Sequence, residues 1–155
     1  TAFAKVAAQY KLPHRRISFE ITEQAGLFEQ QTILETLSEL RLMGFGLSLD
    51  CFGSGESSLR SLATLPVDTI KIDPRYTADL NINSMHRTLL KSMLDLGRQV
   101  DVKVVATGIE SRYQHQYLCG IGFQLIQGNF ISKPLPVEEI VRSYGPDAAD
   151  ISRAC

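Results

Sequence analysis

The sequence predicts an α/β fold of the (β/α) TIM-barrel type, a partial barrel of about five βα units. Three observations carry that expectation. Segments of helical periodicity alternate with short apolar runs, the links between them are only a few residues long, and the apolar runs finish in polar or ionisable residues. Such alternation implies parallel strands joined by right-handed crossovers, in an open sheet or a barrel. Glu20 and Glu23, Asp50, Lys71 and Asp73, Glu110 and Gln127 all fall at strand C-terminal ends, which a barrel gathers and an open sheet spreads apart. A closed barrel takes about eight strands and about 250 residues. With 155 residues the chain therefore reads as the second part of one.

Each element has its own signal. Thr1 to Tyr10 places Phe3, Val6, Ala7 and Tyr10 at helical spacing, and Pro13 ends that helix. Arg16 to Glu23 alternates as a strand does and ends in two carboxylates. Gln30 to Leu42 sets Ile33, Leu34, Leu37, Leu40 and Leu42 on one helical face, closed by Gly44. Gly46 to Asp50 is a buried strand delivering an acid into the glycine-punctuated loop Phe52-Gly53-Ser54-Gly55, and Ser57 to Leu65 is a short amphipathic helix. Pro66 to Asp73 is strand-like and Pro74 ends it. Asn83 to Gln99 is a long amphipathic helix ending near Gly97, with Met85 and Met93 read as core. Val102 to Ala106 is a β-branched run delivering Thr107-Gly108-Ile109-Glu110, Gln114 to Cys119 is a short helix, Gly122 to Phe130 is the last strand, and Val137 to Tyr144 is the final helix.

Composition narrows the function classes. At 44% hydrophobic and 21% charged the chain is one globular domain rather than a disordered or fibrous segment. A formal net charge of −1 provides no general basic field for DNA, RNA or an anionic membrane. No apolar run is long enough to span a bilayer and no signal peptide opens the chain, so the expected compartment is cytoplasmic. Cys51, Cys119 and Cys155 are odd in number and widely spaced, and are expected to be reduced thiols. His14, His86 and His115 have no partner at metal-ligand spacing and are expected at the surface.

Five ordered segments carry a family resemblance: Phe19-Glu20-Ile21-Thr22-Glu23, Leu49 to Leu59, Leu65 to Asp73, Val104 to Ser111, and Gln127 to Pro136. In order and spacing they resemble the EAL-domain phosphodiesterases of bacterial cyclic-di-GMP signalling. The resemblance implies residues 1–144 as the C-terminal portion of an EAL domain, with 145–155 a flexible tail. It implies a modified TIM barrel that binds cyclic-di-GMP and, in active members, hydrolyses one phosphodiester with two Mg²⁺ or Mn²⁺ ions. By that likeness Glu20, Asp50 and Asp73 belong to the metal site, Lys71 and Glu110 to catalysis and Gln127 to the nucleotide, while Glu23 supports the loop after Asp50. Hard divalent cations favour carboxylate oxygens, and a pair of them generates hydroxide while neutralising phosphoryl charge.

The sequence also departs from that pattern. Active members carry a second aspartate where Cys51 stands and a glutamate where Thr107 stands, and a neutral thiol is a poor substitute for a carboxylate on Mg²⁺. Pro74 takes the place of an arginine after Lys-Ile-Asp, and Glu56 that of an aromatic residue. The Glu-Ala-Leu signature and an asparagine ligand would precede Thr1. Glu23, Asp73 and Glu110 read equally well as structural hydrogen-bonders, and Cys51 as a small buried hydrophobe. The expected function is a degenerate EAL module, acting as nucleotide receptor or interaction domain, with an active phosphodiesterase in full-length form as the alternative. Five strands without closing partners would leave two edges and one sheet face open, so self-association or partner signalling domains are expected.

Overall fold

The computed structural model describes residues 2–22, 31–55 and 58–145. The elements in order are α1 (Ala2–Gln9), a 3-10 turn (His14–Arg16), β1 (Ser18–Thr22), α2 (Gln31–Leu42), β2 (Gly46–Phe52), α3 (Ser58–Thr64), β3 (Thr69–Ile72), α4 (Arg75–Ala78), α5 (Ser84–Gln99), β4 (Lys103–Ala106), α6 (Arg112–Gly120), β5 (Leu125–Ile126) and α7 (Val137–Tyr144). All strand pairings are parallel, and the sheet order is β1-β2-β3-β4-β5. Strands adjacent in sequence are thus adjacent in space without a reversal, the winding of a barrel arc rather than of a doubly wound sheet.

The pleat divides the sheet by chemistry. Phe19 and Ile21, Leu47 and Leu49, Ile70 and Ile72, Val104 and Ala106, and Ile126 pack with Leu37, Leu90, Leu94 and Leu118 of the helices in one core cluster. The alternate positions, Glu20, Ser48, Asp50, Thr69, Lys71 and Val105, share the opposite face. Burial of the apolar set, at about 25 cal/mol per Å², fixes the register. A slip by one residue would carry Leu47 and Leu49 out of the core and Glu20 and Lys71 into it.

Several elements differ from the periodic reading. The last strand, expected over Gly122 to Phe130, pairs only at Leu125 and Ile126. It has β4 alone as a neighbour, and Phe123 leaves the ladder to enter the core, where it is 1% exposed. The one-turn helix α4 follows Pro74, which starts a helix where it was expected only to end a strand. The long helix begins on Asn83, whose side chain accepts from the backbone N–H groups of Met85 and His86. Gly97 lies inside that helix against Val104 rather than terminating it. Met85, read as core, is 63% exposed because it sits on the solvent side of the first turn, whereas Met93 packs against the core.

The histidines are half-buried, not surface residues. His14 stacks on Phe45 at 4.3 Å with Nδ1 2.7 Å from the Met43 carbonyl oxygen, His86 meets Tyr76 edge-on at 5.5 Å, and His115 packs on Phe130 at 5.5 Å. Aromatic packing partners lie far away in sequence, so spacing gave no sign of them. Cys51 is a free thiol as expected. Cys119 is disulfide-bonded instead of reduced, and the expectation for Cys155 lies outside the described residues.

Candidate functional site

The polar face of the sheet converges at the strand C-terminal ends. From β3, Lys71 reaches across β2 to β1, and its Nζ donates to both carboxylate oxygens of Glu20 at 2.8 and 2.9 Å. The ammonium end is nearly enclosed, with the Lys71 side chain 11% exposed and that of Glu20 53% exposed. Ser48, paired with Glu20 on β2, is buried, and its hydroxyl has no hydrogen-bond partner among the described residues.

Beside that pair the backbone breaks its pattern. Pairing between β2 and β3 shifts register between Leu49 and Phe52, and Cys51 adopts φ +53° in the interval. A left-handed non-glycine residue costs about 1–2 kcal/mol, so the bulge is held by its surroundings rather than by local preference. Asp50 and Cys51 are both half-buried, side by side at the end of β2. Burial pushes the Cys51 thiol above its ordinary range, and the neighbouring charges of Asp50 and Asp73 push it further. The thiol is therefore protonated and neutral around pH 7.

Asp73, one residue beyond β3, is 6% exposed. Burial alone would raise its pKa, but hydrogen bonds from Arg75 outweigh that and hold it below the usual carboxylate range. Arg75 Nε and backbone N–H donate to Oδ1 at 3.0 and 2.8 Å, and Nη2 donates to Oδ2 at 3.1 Å. The arginine missing immediately after Lys-Ile-Asp thus stands one place later, beyond Pro74, and its guanidinium folds back onto the acid.

The remaining expected residues spread outward. The Thr107 hydroxyl donates to the Ile72 carbonyl oxygen at 2.6 Å, joining the ends of β3 and β4. Glu110 is exposed and lines a separate cleft with Asn81, Tyr113 and Gln114, while its backbone N–H donates to the Gln114 side chain. Gln127 is exposed at the end of β5, its backbone bonded to Ala106 and Ile109. Glu23, expected to support the loop after Asp50, lies outside the described residues, as does Glu56. Tyr76 and Arg75 hold that loop: the Tyr76 hydroxyl donates to the Gly53 carbonyl oxygen at 2.8 Å, and Arg75 Nη2 to that of Ser54 at 3.4 Å. Sequence reasoning missed both; the only available signal was the Arg-Tyr pair directly after Asp73-Pro74.

A parallel arc with an acid near the end of β2, a lysine within β3 and Thr-Gly-Ile-Glu after β4 fits the comparisons with known proteins. The EAL domain profile matches residues 1–134. The chain belongs to the EAL domain family. Among curated relatives, the bifunctional diguanylate cyclase/cyclic di-GMP phosphodiesterase MucR of Pseudomonas aeruginosa is 32% identical over 135 residues, 87% of this chain and 20% of that protein. The solved structure of the MucR phosphodiesterase in complex with c-di-GMP superposes with a TM-score of 0.79 at 31% identity, covering 88% of this chain and 56% of the other. The manganese/cy-diGMP complex of Klebsiella pneumoniae BlrP1 at pH 9.0 gives 0.75 at 26% identity, covering 81% of this chain and 32% of the other. The chain spans about a fifth of the length of the curated relatives it matches. No helix among the described residues is long and apolar enough to cross a membrane.

Proposed function

We propose that this EAL chain serves cyclic-di-GMP signalling as a degenerate module, a nucleotide receptor or protein-interaction domain, that does not hydrolyse the dinucleotide. The observation that carries the reading is the internal neutralisation of its acids: both oxygens of Glu20 are taken by Lys71 and both oxygens of Asp73 by Arg75. A pair of divalent cations needs several carboxylate oxygens free to coordinate. Cys51 offers a protonated soft donor in place of one, and the Thr107 hydroxyl is directed to a backbone carbonyl. Among the described residues, no group of three or more His, Cys, Asp or Glu side chains is placed to hold a metal ion. These residues do not fit a resident Mg²⁺ or Mn²⁺ pair, and no step through such ions follows from them.

The matched relatives support cyclic-di-GMP as the ligand, because the MucR and BlrP1 structures hold it on the same fold. In this reading the strand ends present a preformed polar face, on which Gln127 supplies donors to a phosphodiester or a base edge. Glu110 and Asp73 act as structural anchors, through the cap of α6 and through Arg75. The module works in the cytoplasm. Its uncovered sheet face and the outer edges of β1 and β5 are proposed to pair with a second copy of the chain.

Calorimetric titration of the full-length protein with cyclic-di-GMP, with and without Mg²⁺, tests the reading together with product analysis. Metal-independent binding without linear dinucleotide is the expected result. Linear product formed at a metal-dependent rate refutes it in favour of an active phosphodiesterase. Absence of binding removes the receptor role and leaves protein interaction.

A further inference from the structure

The short helix α4 has more long-range partners than its four residues suggest. On one side the Tyr76 hydroxyl donates to the Gly53 carbonyl oxygen at 2.8 Å, and the ring lies directly on that residue. Gly53 has φ +91°, and a Cβ there would stand 2.8 Å from Tyr76 Cε2. Glycine is therefore required twice over, by backbone conformation and by the approaching ring. On the other side Thr77 is fully buried, with Oγ1 2.6 Å from the Thr107 carbonyl oxygen. Gly108 has φ +73°, and a Cβ there would stand 2.5 Å from Pro74 Cβ and 3.3 Å from Thr77 Oγ1.

The same turn reaches a fourth element. Gln114 Nε2 donates to the Thr77 carbonyl oxygen at 2.8 Å, while its Oε1 accepts the backbone N–H groups of Glu110 and Ser111, both at 2.8 Å. Arg75 meanwhile ties the turn to Asp73 at the end of β3. One helical turn is thereby wedged between two side-chain-free positions, Gly53 after β2 and Gly108 after β4. A turn that merely filled space would not need both neighbours to give up a Cβ.

We propose that α4 is a latch that fixes the loop after Cys51 relative to the ends of β3 and β4, with Arg75, Tyr76 and Thr77 as positioning residues for the candidate site. None of the three need touch a ligand. They determine where Asp50, Cys51, Asp73 and Thr107 stand relative to one another, because the segments at or just beyond those residues share one clamp. The structural part stands independently, and the consequence for nucleotide binding rests on the cyclic-di-GMP reading above.

The test is hydrogen exchange in the full chain, read across the latch. Thr77→Val removes the hydroxyl on the β4 side, and Thr77 makes no hydrogen bond to Gly53, Ser54 or Gly55. A latch predicts that exchange at residues 53–55 accelerates on the order of 3- to 10-fold, the scale of one lost hydrogen bond, while the β2 core at residues 47–49 is unchanged. Thr77→Ser keeps the hydroxyl and should restore protection. Acceleration confined to residues 107–111 overturns the proposal, since the two sides would then open independently. If Thr77→Val does not fold, Tyr76→Phe is read in the opposite direction, at residues 107–111, with the same two outcomes. Tyr76→Phe should also weaken cyclic-di-GMP binding severalfold. A wild-type protein that binds no nucleotide overturns the receptor reading alone, and exchange then decides the latch.

Discussion

Replacing Glu20 by Gln and Lys71 by Met should have unequal effects, although each breaks the same ion pair. The inequality follows from burial: the Lys71 side chain is 11% exposed and that of Glu20 53% exposed. Glu20→Gln leaves an ammonium in a nearly closed setting with one of its two carboxylate contacts reduced to a neutral amide oxygen and the other lost, because an amide NH2 cannot accept from it. A hydrogen bond to a charged group is worth about 1.5–3 kcal/mol, and stranding a fully buried partner costs about 3–5 kcal/mol. The half-exposed carboxylate, and Asp50 at the adjacent strand end, bring the expected loss down to about 1–2 kcal/mol. Lys71→Met removes the enclosed charge, keeps the stem volume and returns Glu20 to water. Its expected cost is below about 1 kcal/mol. Urea denaturation at pH 7 and low salt measures both, and a loss of about 1 kcal/mol should also appear as a fall of roughly 2–4 °C in Tm for a chain of this size. A Lys71→Met variant as damaged as Glu20→Gln, or more so, would show that the ammonium is not the partner whose isolation matters.

Other outcomes follow from the same site. Because Arg75 depresses the folded-state pKa of Asp73, the stability that Asp73 contributes is present above the unfolded carboxylate value of about 3.9 and is lost as pH falls through the lower folded value. Asp73→Asn should therefore be less stable than wild type at pH 7, with a deficit that shrinks in acid; a deficit independent of pH refutes the assignment. Cys51 has a raised pKa, so its alkylation at pH 8, followed by mass spectrometry of its own peptide, should be slower than that of a free cysteine. Reaction at or above the free rate contradicts the burial and charge argument. Light scattering on a size-exclusion column should find concentration-dependent association, since Val137, Val141 and Tyr144 of α7, Phe3 of α1 and Tyr10 just after it are each more than half exposed. A monomer at every concentration counts against it.

The sequence by itself determined the alternation of strands and helices and the parallel winding. Periodicity and short links carry that information locally: Leu47 and Leu49 alternate with Ser48 and Asp50 whatever lies across the sheet, and a crossover of helical length allows only parallel neighbours. It also determined that Cys51 and Thr107 are not acids, a matter of residue identity alone. Only the tertiary structure decided what the remaining acids face. Glu20 and Lys71 are 51 residues apart, and no spacing rule joins them; they meet because β2 carries a serine between them rather than a bulky side chain. Arg75 lies two residues from Asp73, yet its return onto that carboxylate depends on the turn that Pro74 starts. Glu110 belongs to the matched motif but faces another cleft, because the backbone after β4 is committed to Gln114 and to the buried Ile109. The left-handed Cys51, the wedge of α4 between Gly53 and Gly108, and the brevity of β5 all arise from contacts across strands. Such contacts depend on which loops the closed packing brings together, and that is not a local property of the chain.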